Sequence, residues 1–187
     1  PGRMDVIVAA ARKDVVERYV DAVEQGRRKV FLLDVDAFAL ARAYEANYDF
    51  GGGDTDALVH AGPSVTTVNV LKGGVSALVR SFPAGGPSVA GSRRAETLAG
   101  EVERSLDYYR STAGETRLRQ VLLSGGAVTV PAVREALAGR AHAPVDLFDP
   151  FRRIRRDREM FPEAFLDDIR PLAVAAVGLA LRGVDGR

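Results

Sequence analysis

The chain has 187 residues, 47% hydrophobic, 27% charged and 7% aromatic, with a formal net charge of +1 and no cysteine. That length suits one domain, or two small lobes sharing a hinge, and buries enough surface to need no covalent staple. The balanced charge gives no global pull toward nucleic acid, the lack of cysteine excludes disulfides and thiolate metal sites, and two histidines argue against a histidine-rich site.

No signal-peptide pattern precedes Asp5–Ala10 (DVIVAA), a short apolar run expected as a covered strand, and this abrupt entry reads as a chain cut from something longer. Val15, Val16, Tyr19, Val20 and Val23 recur at helical spacing, so a helix is expected over Arg12–Glu24 and stops at Gly26. Lys29–Asp34 (KVFLLD) reads as a second buried strand, which makes the opening β-α-β. Asp36 is placed to cap the next helix, Ala37–Asn47. Asp34 and Asp36 are also a strand-end acidic pair of the kind that holds a metal or does proton transfer, and capping is the simpler role.

The glycine-rich Phe50–Asp56 (FGGGDTD) is expected as a loop. Strands follow at Ala57–His60, Thr66–Leu71 and Val75–Ser81, with a hairpin turn at Lys72-Gly73-Gly74. Pro83–Arg94 has linker composition. Leu98, Val102, Leu106 and Tyr109 mark one face of a helix over Ala95–Tyr109, ended by Gly114. Val121–Leu137 (VLLSGGAVTVPAVREAL) reads as a buried strand, a Gly-Gly turn and a helix. Pro144–Leu147 is expected as a short edge strand, 148–158 as a loop or irregular helix, and Pro171–Leu181 as a buried helix with proline in its first turn. That last apolar run is about half of what spans a bilayer.

Two glycine turns are the candidate sites. In Leu58–Thr67 (LVHAGPSVTT), backbone N–H groups around Gly62 and the hydroxyls of Ser64, Thr66 and Thr67 are suited to cradle a phosphate; a plain hairpin explains the same residues. In Leu122–Gly126 (LLSGG), Ser124, Gly125 and Gly126 lie between a strand end and a helix start, where α/β sheets bind anionic ligands; an ordinary strand-to-helix turn is the alternative. His60 within an apolar strand reads as a structural histidine, and the cluster Arg152, Arg153, Arg155, Arg156 and Arg158, interleaved with Asp157 and Glu159, as a solvated face.

In order, Val6–Arg12 (VIVAAAR), Leu33–Tyr44 (LDVDAFALARAY), Ala57–Leu71 (ALVHAGPSVTTVNVL), Val75–Gly86 (VSALVRSFPAGG), Glu101–Tyr109 (EVERSLDYY), Val121–Ala127 (VLLSGGA) and Ala176–Arg182 (AVGLALR) resemble the PilM family of type IV pilus assembly proteins, with FtsA as the nearest competing assignment. The resemblance implies an α/β actin-like, ribonuclease H-like ATPase fold in two lobes, here incomplete. Residues 1–50 would be the remainder of the first lobe and 51–187 the second, its subdomain around 83–95 shortened or missing. It implies ATP with Mg²⁺ between the lobes, with Gly62, Ser64, Thr66 and Thr67 matching a phosphate loop and Ser124, Gly125 and Gly126 the adenosine turn. It also implies a cytoplasmic scaffold, peripheral to the inner membrane, that holds the cytoplasmic tail of a PilN-like membrane protein, meets other platform proteins and is able to self-associate.

Three departures from the family pattern stand out. His60-Ala61-Gly62 replaces Asp-Ile-Gly at the head of the phosphate loop, so the metal-organising carboxylate is a neutral imidazole. A first phosphate hairpin has no counterpart in the chain, and only a short bridge joins Gly86 to Glu101. The expectation is weak or absent ATP binding, no ATPase activity and no catalytic or metal-binding residue. The alternatives are a working actin-like ATPase or sugar-kinase-type phosphotransferase, and an FtsA-like filament protein.

Overall fold

A computed structural model describes residues 8–84, 92–114 and 117–185. The chain divides into two compact units, one ending at Val35 and the other running from Asp36. In the first, helix α1 (Lys13–Gln25) forms as its apolar spacing predicts, though none of its residues is buried. The expected strand Lys29–Asp34 does not form: the segment has no regular structure, with Phe31 83% and Leu33 51% exposed. Its β-branched and aromatic content meets the composition of a strand, but no neighbouring strand pairs with it among the described residues. Among the described residues the expected β-α-β opening is a single helix followed by a segment without regular structure. Residues 5–7 of the expected first strand lie outside the described residues, as do 85–91 of the linker-like stretch.

The second unit is three layers around one sheet. Its elements are α2 (Asp36–Asn47), β1 (Thr55–Ala61), β2 (Thr66–Lys72), β3 (Val75–Phe82), α3 (Ser92–Ala113), β4 (Gln120–Ser124), α4 (Pro131–Arg140), β5 (Val145–Leu147) and α5 (Glu163–Asp185). The strand order is β3-β2-β1-β4-β5. The first three strands form an antiparallel meander, while β4 runs parallel to β1 and β5 parallel to β4.

Alternation along the strands sorts side chains to two faces. Val59, Val68, Val70, Val121 and Leu123 pack on one face with Leu98, Val102 and Leu106 of α3 and Val133 and Leu137 of α4. The face of α3 named by its sequence periodicity is the face that is buried. On the other side Leu58, Leu71 and Leu122 pack with Leu40, Ala43 and Tyr44 of α2 and Val174 of α5.

α5 begins at Glu163, well before Pro171, which sits inside the helix. The expected proline start is thus corrected. Proline cannot donate to the carbonyl one turn earlier, yet its own carbonyl is used: the Gly125 N–H donates to Pro171 O at 2.7 Å, tying α5 to the end of β4.

Candidate functional site

β1 and β4 lie side by side, parallel and central, so their carboxyl ends finish together, where open α/β sheets present ligand sites. β1 ends in the turn from Gly62 to Val65, closed by a 3.0 Å bond from Gly62 N–H to Val65 O. β4 ends at Ser124, followed by Gly125 and a 3-10 turn over Gly126–Thr129 that leads into α4. A cleft of about 520 Å³ opens between the two turns, lined by His60, Gly62, Gly125, Gly126, Thr129 and Leu172 among others.

Gly125 adopts φ +91°, and a Cβ there would overlap the carbonyl oxygen of Ala61 in β1. Only glycine lets the two strand ends approach so closely. Gly126 is different: its added Cβ would meet nothing nearer than Leu172 Cδ2 at 3.8 Å, on the cleft side.

His60 is the polar side chain at the floor. Register pairs it with Thr67 on β2 and Ser124 on β4, so the three share the sheet face that carries α2 and α5. His60 Nδ1 and Ser124 Oγ share a hydrogen bond of 3.0 Å, and Ser124 is 1% exposed. Burial depresses the His60 pKa below its ordinary 6.5, and the Asp36 carboxylate at the start of α2 only partly opposes this. The imidazole is therefore neutral at neutral pH.

Of the sequence-predicted site residues, Gly62, Gly125 and Gly126 line the cleft, and Ser124 holds His60 from beneath. Ser64 is exposed in the turn. The Thr66 hydroxyl donates to Ala84 O at 2.6 Å, and Thr67 Oγ1 shares a 3.0 Å bond with Ser81 Oγ. Both hydroxyls thus have partners on β3 or just beyond its end. Leu172, Thr129 and Val130 were not singled out by sequence reasoning; Leu172 reaches the cleft only because α5 returns across β4, which local periodicity does not encode.

ATP and Mg²⁺ would make separate demands on these residues. A nucleoside or phosphate could approach the backbone closely at Gly126, where the space is open; the N–H groups of Gly62 and Gly125 are already given to Val65 O and Pro171 O. The donor set does not fit magnesium, which takes hard oxygen ligands. Where β1 ends there is a neutral imidazole already bonded to Ser124, and among the described residues no group of three metal-ligating side chains occurs. Asp34 Oδ1 accepts the Val35 N–H at 2.8 Å, and Asp36 is the first residue of α2.

A second polar cluster closes the opposite ends of β1 and β4. Arg119 donates to both Asp56 carboxylate oxygens (2.9 and 2.7 Å), to Asp54 Oδ2 (2.8 Å) and to the Tyr44 hydroxyl (2.7 Å). The Tyr44 hydroxyl donates to Asp56 Oδ2 at 2.5 Å. Burial, then the bond to Asp56, pushes the Tyr44 pKa well above its ordinary value. This network is remote from the cleft and serves the fold. The arginine-rich loop is also partly spoken for: Arg153 pairs with Asp49, Arg156 pairs with Glu163, and Arg152 lies over the Tyr48 ring at 5.2 Å.

A family profile described as type IV pilus assembly protein PilM matches residues 1–92 and 94–184. A solved structure described as a PilM-PilN type IV pilus biogenesis complex aligns with a TM-score of 0.78 at 21% identity, over 93% of this chain and 59% of that one. The ethanolamine utilization protein EutJ from Carboxydothermus hydrogenoformans aligns with a TM-score of 0.57 at 16% identity, over 86% of this chain and 59% of its own. The chain thus spans 59% of the length of each of these two solved proteins. The expected α/β actin-like fold is the fold present, in a size smaller than those proteins. With the profile matched along nearly its whole length, the chain belongs to the PilM family of type IV pilus assembly proteins.

Proposed function

We infer that the chain works as a scaffold that holds the cytoplasmic tail of a PilN-like membrane protein, and that its cleft does not run a magnesium-dependent ATPase. The observation that carries the second half is the His60–Ser124 pair. It puts a desolvated, neutral, already bonded imidazole at the strand end where a metal-organising carboxylate would sit. The open backbone at Gly126 is suited to a nucleoside or phosphate bound without metal. Such a ligand, touching the β1 turn, the β4 turn and Leu172 of α5 together, would set their relative positions rather than turn over.

Support for the first half is family membership and the solved relative described as a PilM-PilN complex. No helix among the described residues is long and apolar enough to cross a membrane. On this reading the protein acts at the cytoplasmic face of the inner membrane, residues 1–50 belong to the first actin-like lobe, and contacts to other platform proteins or to further copies complete the assembly.

Fluorescence anisotropy with a labelled peptide of the PilN-like tail tests the reading. Saturable binding, unchanged when magnesium is chelated, is expected. Absence of binding to this chain would overturn the scaffold assignment.

A further inference from the structure

Among the described residues β5 is the terminal strand of the sheet, with no strand paired to its outer edge. On its inner side Val121 N–H donates to Pro144 O and Phe148 N–H to Leu123 O, both at 2.8 Å. In a parallel ladder the backbone groups of alternate residues face the same neighbour. Asp146 therefore also faces β4, while the N–H and C=O of Val145 and of Leu147 face outward, where the sheet supplies no strand to receive them.

The two sides of that edge are recessed. On the α4 side, a groove of about 370 Å³ is lined mostly by apolar residues, Val145 and Leu147 among them, together with Arg134, Glu135 and Asp146. Leu147 is 42% exposed there. On the opposite side a second groove, of about 550 Å³, is lined by Tyr48, Leu122, Asp146, Asp149 and Arg152. The cations and anions of this second groove are unequally committed. Arg152 lies on Tyr48 and Asp149 faces Arg170 Nε at 3.3 Å, but Asp146 has no ion pair among the described residues. The register sets Asp146 beside Leu122 on one face and Val145 and Leu147 beside Val121 and Leu123 on the other, which matches a partner strand whose side chains alternate, since successive residues point to opposite faces.

We propose that the β5 edge is a strand-addition site for an extended peptide of a partner protein, with a lysine or arginine opposite Asp146 and aliphatic residues on either side of it. The backbone of the peptide completes the hydrogen bonds of Val145 and Leu147. Its aliphatic side chains enter the α4 groove, and its cation meets Asp146. A second copy of the chain is a poor occupant. Two β5 edges pairing antiparallel about a two-fold axis, with Val145 opposite Leu147, bring Asp146 against Asp146, and like charges directly opposite destabilise a pair.

The test is an NMR titration of the isotope-labelled chain with acetyl-Thr-Val-Lys-Val-Thr-amide, and with the same peptide carrying glutamate in place of lysine. The lysine peptide is expected to shift the amides of Val145–Leu147 saturably and to bind about fivefold tighter than the glutamate peptide. Asp146→Lys, an exposed change, is expected to invert that preference. Leu147→Pro removes an outward-facing donor without touching the β4 ladder, and is expected to weaken binding about tenfold. Shifts that are absent or centred on another strand, equal affinity for the two peptides, or insensitivity to either variant overturn the proposal. Concentration-dependent shifts of the β5 amides without peptide also overturn it, because the occupant is then a second copy.

Discussion

Gly178 of α5 crosses Ala39 of α2 so closely that a Cβ on Gly178 would overlap the Ala39 carbonyl oxygen. These two helices cover the same face of the sheet, and α5 also carries Pro171 and Leu172 to the cleft. The obstacle to a side chain is backbone rather than a movable side chain. Gly178→Ala is therefore expected to destabilise the fold by about 1–3 kcal/mol, as overpacking does. Urea denaturation would measure it. Because α5 must shift, the Gly125 amide, which donates to Pro171 O, is expected to lose protection from hydrogen exchange in the same variant.

The two glycines of the β4 turn should respond differently to alanine. At Gly125 both the positive φ and the approach to Ala61 oppose a side chain, so Gly125→Ala is expected to cost about 2 kcal/mol or more. At Gly126 the space is open toward Leu172, and Gly126→Ala should lie within about 1 kcal/mol of the native chain while narrowing the cleft. Thermal melts of the two variants side by side check this; equal losses would contradict it.

Arg119 is the hub of the remote cluster, and the Asp56 carboxylate it holds is 2% exposed. Arg119→Met leaves that buried charge without its cation. The expected loss is about 3 kcal/mol, the low end for a broken buried pair because Arg119 itself reaches solvent. Tyr44→Phe removes one hydrogen bond to Asp56 and should cost about 1 kcal/mol. Denaturant midpoints give both numbers, and neither variant should alter the chemical shifts of cleft residues.

The depressed pKa of His60 has a definite sign in stability. The folded chain binds this proton more weakly than the unfolded chain, whose value is near 6.5. Stability from this group is therefore complete above about pH 6.5 and falls as pH drops below it toward the folded value. In His60→Gln this component of the acid dependence should vanish between pH 5 and 7, read from urea midpoints across that range. An imidazole titration by NMR with a midpoint at or above 6.5 would contradict the buried, neutral assignment.

The sheet and its glycine turns were legible because they rest on local chemistry. Apolar runs such as Val121–Leu123 bounded by glycine declare strands, and the α3 periodicity at Leu98, Val102, Leu106 and Tyr109 declares a buried face. What failed depended on partners. Lys29–Asp34 has a strand's residues, but a strand exists only with a neighbour to bond. Two prolines, Pro162 and Pro171, bracket the start of α5; the apolar run drew attention to the second, while Glu163, just after the first, begins the helix. At the cleft, Gly62, Gly125 and Gly126 were readable from their turns. The directions of the Thr66 and Thr67 hydroxyls were not, because they are decided by Ala84 and Ser81 across the sheet.

The central claim is that the His60–Ser124 floor leaves this actin-like cleft unable to organise magnesium. Calorimetric titration of the chain with ATP, once with Mg²⁺ and once with a chelator, tests it most directly. Weak or undetectable binding that magnesium does not improve is the predicted result. Micromolar affinity for Mg-ATP that the chelator abolishes would contradict it.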